Sequence, residues 1–347
     1  MFRLPFFSVR LLVLASLSLT SLPVLWPQAS SPPLYTYFRA GNAAAVPGAT
    51  RPGYALMGGG SDLDLAFRWL CERAGGGDFL VLRATGSDEY NSYIQHFCHV
   101  NSVATLVIPS RAAAADPFVE QAIRQASGLF ISGGDQANYI NFWQGTPMQA
   151  AINDAIRRGV PIGGTSAGLA VLGEYTYTAQ ADKPDDPNLD GKTALANPYN
   201  PRVTLNAHFL EIPILKGTIT DTHFARRDRM GRLLTFLARL TEPDGKPTPG
   251  PGLHIRGIGV EERAAVLVAQ DGQATVIGRG GAYFMETKGS VEVLEPGKPL
   301  TFRDIAVQKV APGRSFNLKT WQGNATRYTL SVEGGSLHSS QAGGSIY

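Results

Sequence analysis

Five short apolar runs between residues 52 and 172 alternate with amphipathic segments, and this alternation constrains the fold more than any other feature. Each run is continuously rich in Val, Ile and Leu, as expected for a parallel strand covered on both faces. The pattern predicts an α/β fold with a doubly wound, mostly parallel sheet and right-handed crossovers. The predicted strands cover 53–58, 79–84, 104–109, 128–133 and 160–164, and the predicted helices cover 62–74, 87–97, 116–126 and 146–158.

Beyond Gly173 the pattern changes from alternating elements to loops and short strands. Residues 180–202 and 243–252 are rich in proline and polar residues, which predicts two loops. Apolar residues at helical spacing predict a helix over 223–240. Short strands follow from Gly257, one pair of them joined by a hairpin at 271–272. We therefore expect an α/β domain over 31–290 and a β-rich C-terminal extension over 291–347 with a flexible end.

The first thirty residues have the pattern of a secretory signal peptide. Arg3 and Arg10 flank the start of an uncharged apolar run over 11–26, and small and polar residues follow it. A transmembrane anchor is the alternative, but the run is shorter than the usual ~20 residues and Pro23 interrupts it. We expect cleavage, a periplasmic or secreted product, and no membrane contact after cleavage.

Charge and cysteine content limit the partners. The net charge is only +3, and the sequence has no block of consecutive Lys or Arg residues that could follow a phosphate backbone. Nucleic acid is therefore not an expected partner. Cys71 and Cys98 form either one disulfide or two buried thiols. His96 and His99 bracket Cys98, but no second cluster completes a tetrahedral site, so we expect no metal. A homodimer is compatible with this composition.

Glycine clusters follow three of the predicted strands, at 58–61, 132–136 and 163–168. Ligands of doubly wound sheets bind at the carboxyl ends of the strands, where these clusters fall. Glycine runs also simply permit turns. Three of them at one edge of one sheet predict a functional site there.

Residues 164–168 read Gly-Thr-Ser-Ala-Gly, the arrangement of a nucleophile elbow. A strand-to-helix turn this sharp strains the central residue and exposes its hydroxyl beside a helix N-terminus. Ser166 would be the nucleophile, with the N–H groups of Ala167 and Gly134 as predicted oxyanion donors. The alternative is that Ser166 only caps the helix.

Serine needs a base, and His223 is the best candidate among six histidines. Asp221 precedes it, and Arg227, Arg229 and Arg232 follow it. The nearby arginines would lower the imidazole pKa. Their guanidinium groups would also bind a carboxylate through paired hydrogen bonds. An ordinary solvated helix end is the alternative.

Four segments, at 133–136, 164–168, 221–233 and 257–262, resemble in the same order the signature segments of cyanophycinases and their peptidase E relatives. These are serine hydrolases of the S51 type. The resemblance implies a flavodoxin-like fold akin to the class I glutamine amidotransferases, with serine in place of their cysteine. It also implies a triad of Ser166, His223 and Glu262, with Glu261 as the rival acid.

The resemblance further implies a pocket that binds the aspartyl carboxylates and the arginine side chain of a β-aspartyl-arginine unit. Its lining residues would be Gln136, Asp221, Arg227, Arg229 and Arg232. Two positions depart from the family pattern: Thr222 replaces a glutamine, and Asp228 replaces a glycine. Loss of the long amide puts the identity of the substrate in doubt but leaves the chemistry intact.

The sequence thus predicts an exported serine exopeptidase that needs no cofactor and hydrolyses aspartyl peptide bonds. The expected substrate is cyanophycin (multi-L-arginyl-poly-L-aspartate), cleaved to β-Asp-Arg dipeptides. The alternatives are an α-aspartyl dipeptidase of the peptidase E type, an α/β-hydrolase-like esterase and a non-catalytic protein that binds anionic peptides.

Overall fold

Strands and helices alternate along the first half of the chain, as predicted. The structure, a computed structural model, describes residues 1–2, 33–181, 185, 188–242 and 255–347. Its strands are β1 (Thr36–Gly41), β2 (Gly53–Met57), β3 (Asp78–Arg83), β4 (Ser102–Val107), β5 (Gly128–Ile131), β6 (Ile162–Thr165), β7 (Tyr175–Tyr177), β8 (Leu205–Ala207), β9 (Thr218–Asp221), β10 (Arg256–Val260), β11 (Ala264–Ala269), β12 (Gln273–Gly278), β13 (Ala282–Thr287), β14 (Val291–Val293), β15 (Thr301–Val310), β16 (Ser315–Asn317), β17 (Gln322–Gly323), β18 (Thr326–Glu333) and β19 (Ser336–Ser339). Its helices are α1 (Asp64–Arg73), α2 (Glu89–Gln95), α3 (Arg111–Ala114), α4 (Pro117–Gln125), α5 (Gln136–Trp143), α6 (Pro147–Arg157), α7 (Ala167–Ala170), α8 (Gly191–Ala196) and α9 (Met230–Thr241).

The first sheet has the strand order β1-β4-β3-β5-β6-β2-β11-β12-β16-β17. Its central strands, from β4 to β2, are all parallel. Buried residues of α1 and α2 pack on one face of this part, and those of α4 and α6 pack on the other. Helices therefore cover both faces of continuously apolar strands, which confirms the predicted α/β fold.

The second sheet has the order β19-β18-β15-β13-β10-β9-β7-β8 and is mixed. Within it, β9 runs parallel to β7 and β10, whereas the pairs from β10 to β19 are antiparallel. The ring of Phe284 in this sheet stacks on the ring of Phe316 in the first sheet, with centroids 3.8 Å apart. The strand-rich C-terminal region is confirmed, and its strands enter both sheets, since β11 pairs with β2 while β10 pairs with β9.

The predicted helix over 223–240 begins later in the structure. Helix α9 starts at Met230, and a turn with positive φ at His223 (47°) and Asp228 (49°) precedes it. The N–H of Phe224 donates to the carbonyl oxygen of Val260 at 3.2 Å, so this turn is tied to β10. Helical spacing of apolar residues does not reveal such a tertiary contact, which explains the error. The strand β9, which leads into the turn, was not predicted.

The C-terminal segment is packed, in contrast to the expected flexible end. Strand β18 pairs with both β15 and β19. Beyond them, the hydroxyl of Tyr328 donates to the carbonyl oxygen of Ile346 at 2.9 Å. By their contacts, Leu34–Tyr347 form one compact unit.

Of the two alternatives for the cysteines, the structure has the disulfide, between Cys71 and Cys98. The sulfur of Cys98 is therefore not a thiolate ligand for a metal beside His96 and His99.

In the described parts of the chain, no helix is long and apolar enough to cross a membrane. The predicted signal peptide falls almost wholly on residues 3–32, which lie outside the described residues.

Candidate active site

Ser166 lies on a strained elbow between β6 and α7. Its φ of 52° and ψ of −118° are unfavourable for a residue with a side chain. A Cβ on Gly168 would lie 2.0 Å from the carbonyl oxygen of Ile131, so only glycine permits this turn to pack against β5. The N–H of Ser166 donates to the carbonyl oxygen of Met57 at 3.1 Å, which fixes the elbow to the end of β2.

The Ser166 hydroxyl bonds to an imidazole rather than to a helix end. Its Oγ lies 2.8 Å from His223 Nε2, and it makes no side-chain capping bond to α7. The alternative role as a helix cap therefore lacks its defining hydrogen bond. A hydroxyl paired with a buried imidazole is the arrangement that proton transfer from a nucleophile needs.

His223 is held against the glycine loop that follows β2. Its N–H donates to the carbonyl oxygen of Gly58 at 2.7 Å. A Cβ on Gly59 would lie 2.5 Å from both Cε1 and Nε2 of the imidazole, and the φ of Gly59 is 92°. This close approach requires glycine, so the loop acts as a wall for the ring.

Glu262 completes a chain of hydrogen bonds. Its Oε1 lies 2.7 Å from His223 Nδ1, and it follows the end of β10, the parallel neighbour of β9. The N–H of the next residue, Arg263, donates to the carbonyl oxygen of Gly59 at 2.9 Å. With Nδ1–H donated to Glu262, the histidine is in the tautomer whose Nε2 accepts the serine proton.

Residues Met57–Gly60 therefore contact Ser166 and His223 directly, and they hold the segment of Glu262 through the N–H of Arg263. Sequence reasoning located a functional edge at this glycine cluster but gave it no part in the triad. The detectable signal was three consecutive glycines directly after an apolar strand, a pattern that indicates close approach of another chain segment.

The rival carboxylate, Glu261, faces away from the imidazole. Its Oε2 accepts the N–H of Gly281 at 2.8 Å, and its Oε1 accepts the hydroxyl of Tyr283 at 2.6 Å. Both partners belong to the turn and strand that follow in the second sheet. The structure thus brings Glu262, and not Glu261, to His223.

Burial and charge set the protonation states of the pair. Burial is the largest factor that lowers the pKa of His223, and Arg227 and Arg229 lower it further, while Glu262 acts in the opposite direction. The hydrogen bond with His223 is the main factor that lowers the pKa of Glu262. At neutral pH the imidazole is neutral and the carboxylate is ionised, as a base and its partner must be. The predicted crowding by arginine contributes, but burial contributes more.

Three of the predicted pocket residues form a buried ionic cluster instead of an open surface. Arg232 donates from Nε and Nη2 to Asp221 at 2.8 and 2.5 Å, and both side chains are almost fully buried. Arg229 donates from Nη1 to the carbonyl oxygen and Oγ1 of Thr222, at 2.9 and 3.0 Å. Burial, followed by the charge of Arg232, lowers the pKa of Arg229 to about 9. The cluster holds Asp221 and Thr222, the two residues that precede His223.

The other two predicted pocket residues lie nearer the solvent. Arg227 is exposed, and its charge acts on both His223 and Glu262. Gln136 is half-buried at the start of α5, with Nε2 3.5 Å from the carbonyl oxygen of Tyr177. Among the described residues, no hydrogen bond or ion pair engages the Arg227 guanidinium, so this cation is open to an incoming carboxylate.

The predicted oxyanion donors belong to segments that lie beside the serine. Ala167 is the first residue of α7, where helix N–H groups have no partner within the helix. Gly134 follows Gly133, whose Cβ position would lie 3.5 Å from the Cβ of Ser166. The hydroxyl of Tyr139 lies 2.9 and 3.2 Å from the carbonyl oxygens of Ser132 and Gly133 and holds this loop in place.

Comparison with known proteins shows a similarity to one peptidase family. The model of peptidase family S51 matches residues 79–236, a span that includes both Ser166 and His223. Over this span the chain is similar to peptidase family S51. The match and the cyanophycinase relatives indicate a serine-type peptidase.

Curated relatives named cyanophycinase support this assignment. The one from Synechococcus elongatus is 26% identical over 266 residues, which are 73% of this chain and 74% of the relative. The one from Geminocystis herdmanii is 24% identical over 73% of this chain and 87% of its own. A crystal structure of a peptidase from an acI-B1 Actinobacterium aligns with 78% of this chain and 98% of its own, at 17% identity and a TM-score of 0.49.

The two adjacent carboxylates give a sharp prediction. Glu262→Gln should lower kcat by about 10²- to 10⁴-fold, because an amide cannot stabilise the imidazolium that forms during proton transfer. Glu261→Gln should instead lower the free energy of unfolding by about 1 kcal/mol, because it weakens two hydrogen bonds outside the catalytic chain. Steady-state kinetics and urea unfolding of both variants measure the contrast. A larger loss of kcat for Glu261→Gln would reverse the assignment.

Proposed function

We propose that this serine-type peptidase hydrolyses aspartyl peptide bonds in an arginine-bearing polymer of aspartate, and releases β-Asp-Arg dipeptides. The observation that carries the proposal is the continuous chain of hydrogen bonds from Ser166 Oγ through His223 to Glu262. The substrate class is supported by the curated relatives, which are named cyanophycinases.

The proposed reaction proceeds through an acyl-enzyme. Ser166 Oγ attacks the scissile carbonyl carbon while His223 Nε2 accepts its proton, and Glu262 stabilises the resulting imidazolium. The N–H groups of Ala167 and Gly134 stabilise the oxyanion. The imidazolium then protonates the leaving amine, and water, deprotonated by His223, hydrolyses the ester and regenerates the serine.

Recognition of the substrate carboxylate is assigned to Arg227. Of the three predicted pocket arginines, Arg229 and Arg232 are committed to buried partners, whereas Arg227 is exposed and its charge acts on His223 and Glu262. An exposed guanidinium binds a carboxylate through two parallel hydrogen bonds. Gln136, the first residue of α5, is half-buried and would contact the polar part of the substrate.

The order of the triad along the chain argues against the esterase alternative. Here the acid follows the histidine, in the order Ser166, His223, Glu262, whereas α/β-hydrolases place the acid between the serine and the histidine. The acid also follows a strand of the second sheet, parallel to the strand before the histidine.

The first test of this function is product analysis. Purified protein should release β-Asp-Arg from insoluble cyanophycin, and Ser166→Ala should abolish release because no nucleophile remains. Ser110→Ala, which changes a serine that caps α3, is the matched control and should retain activity. Hydrolysis of α-aspartyl dipeptides but not of the polymer would select the peptidase E alternative. No hydrolysis of any peptide or ester, together with no fluorophosphonate labelling of Ser166, would select a binding protein.

Recognition by Arg227 predicts a change in KM. Arg227→Gln should raise KM for carboxylate-bearing substrates about tenfold or more, because a charge-assisted hydrogen bond is lost, with a smaller effect on neutral analogues. Arg314→Gln, at an exposed arginine in the turn before β16, is the matched control. Equal increases for charged and neutral substrates would remove Arg227 from carboxylate recognition.

We further propose that the enzyme is exported to the periplasm or beyond. Two features support export: the signal-like pattern of the first thirty residues and the Cys71–Cys98 disulfide, since such bonds are rare in reducing compartments. Intact mass spectrometry of the protein from a bacterial host should show loss of roughly the first 30 residues in the periplasmic or extracellular fraction. An uncleaved chain confined to the cytosolic fraction would contradict export.

A further inference from the structure

We infer that Tyr347 is a positioning residue for the proposed reaction, because it joins the turn that carries His223 to the strand beside the segment that carries Glu262. This inference rests on the proposed function for its catalytic meaning. Its geometry stands on contacts of the C-terminal segment that the resemblance to the family does not involve.

The hydroxyl of Tyr347 makes two hydrogen bonds to the segment between His223 and α9. Its Oη accepts the N–H of Met230, the first residue of α9, at 3.0 Å. The same hydroxyl donates to Asp228 Oδ1 at 3.0 Å. One side chain therefore satisfies an otherwise unpaired helix N–H and binds the residue with positive φ that precedes α9 by two positions.

The ring of Tyr347 contacts both sides of the site. It packs edge-to-face on Phe224, the residue after His223, with centroids 6.0 Å apart. It packs in the same way on Tyr283 of β13, at 5.9 Å. The hydroxyl of Tyr283 in turn donates to Glu261, the neighbour of Glu262. Tyr347 thus lies between Phe224, which follows His223, and Tyr283, which holds the neighbour of Glu262.

The histidine turn needs such support because its backbone is strained. Both His223 and Asp228 have positive φ, a conformation that persists only where surrounding contacts hold it. Asp228 was noted above as a departure from the family pattern, and Tyr347 gives this carboxylate a partner. The C-terminal segment is itself anchored, through the hydrogen bond from Tyr328 to Ile346.

The environment of His223 provides a readout that a general loss of stability would not move. The charged groups that act on its imidazole are Glu262, Arg227 and Arg229, and the loop that covers the ring, Gly58–Gly60, has no titratable side chain. Burial is the main reason for the lowered pKa of His223. If the turn loosens, water reaches the ring, and its pKa must rise towards the ordinary value of about 6.5.

The test measures the His223 pKa by NMR in the wild-type protein and in Tyr347→Phe and Tyr347→Ala. The His223 signal is assigned as the one that disappears in His223→Gln. Tyr37→Phe, which removes a phenol from β1 at the far edge of the first sheet, is the matched control. The rate of fluorophosphonate labelling of Ser166 is measured on the same variants across pH.

We expect Tyr347→Ala to raise the His223 pKa and to slow labelling about tenfold or more, with the acid limb of the labelling profile moved to higher pH. Tyr347→Phe keeps the ring contacts but loses both hydrogen bonds of the hydroxyl, and it should slow labelling about threefold. Tyr37→Phe should match the wild type. An unchanged His223 pKa in both Tyr347 variants overturns the inference.

The two readouts separate this inference from the proposed function. If the wild type is not labelled but its His223 pKa rises in the Tyr347 variants, the hydrolase assignment fails and the positioning role stands. If the wild type is labelled and neither pKa nor rate responds to Tyr347, the reverse holds. If Tyr347→Ala does not fold, Tyr347→Phe alone decides between these outcomes.

Discussion

The backbone of the short loop after β2 is the constraint on which the site depends. Its successive carbonyl oxygens, from Met57 to Gly59, accept N–H groups from Ser166, His223 and Arg263. Those donors come from three segments that are distant in the chain and belong to two different sheets. Each bond is modest alone, but together the three bonds fix the relative positions of the segments that carry Ser166, His223 and Glu262.

In the segment around His223, some charged side chains hold the backbone, whereas others are open to solvent or ligand. Asp221 ends β9 and receives Arg232 from the first turn of α9, so an ion pair spans the turn that carries His223. Both groups are removed from water, a costly arrangement unless every polar atom finds a partner. The exposed Arg227 is left to meet solvent or ligand. Arginines of one short motif therefore have different roles, and their burial decides which role each has.

Much of the site was accessible from sequence, because its chemistry is concentrated in local motifs. The strand before Ser166 and the glycines around it predict an elbow, and the structure has one with positive φ at Ser166. Ser166, His223 and Glu262 were named together, and the structure brings them within hydrogen-bonding distance. Their catalytic roles are part of the proposed function, which this geometry and the similarity to peptidase family S51 support.

What sequence could not give is set by non-local pairing. The pairing of β9 with β10 joins residues about forty positions apart, and no local pattern reports it. The burial of Arg229 and Arg232 follows from that pairing, so these residues were expected to line an open pocket. The start of α9 was misplaced for the same reason, because the contact of Phe224 with Val260 overrides helical spacing.

The insertion of β11 beside β2 has a consequence for biosynthesis. In the first sheet, one of the two neighbours of β2 is β11 (Ala264–Ala269), which is synthesised more than two hundred residues after β2. Glu262 lies just before this strand, so the hydrogen-bonded chain from Ser166 through His223 cannot form in a nascent polypeptide until both Glu262 and β11 have been synthesised. The proposed hydrolytic activity therefore depends on a strand that is made long after the serine elbow.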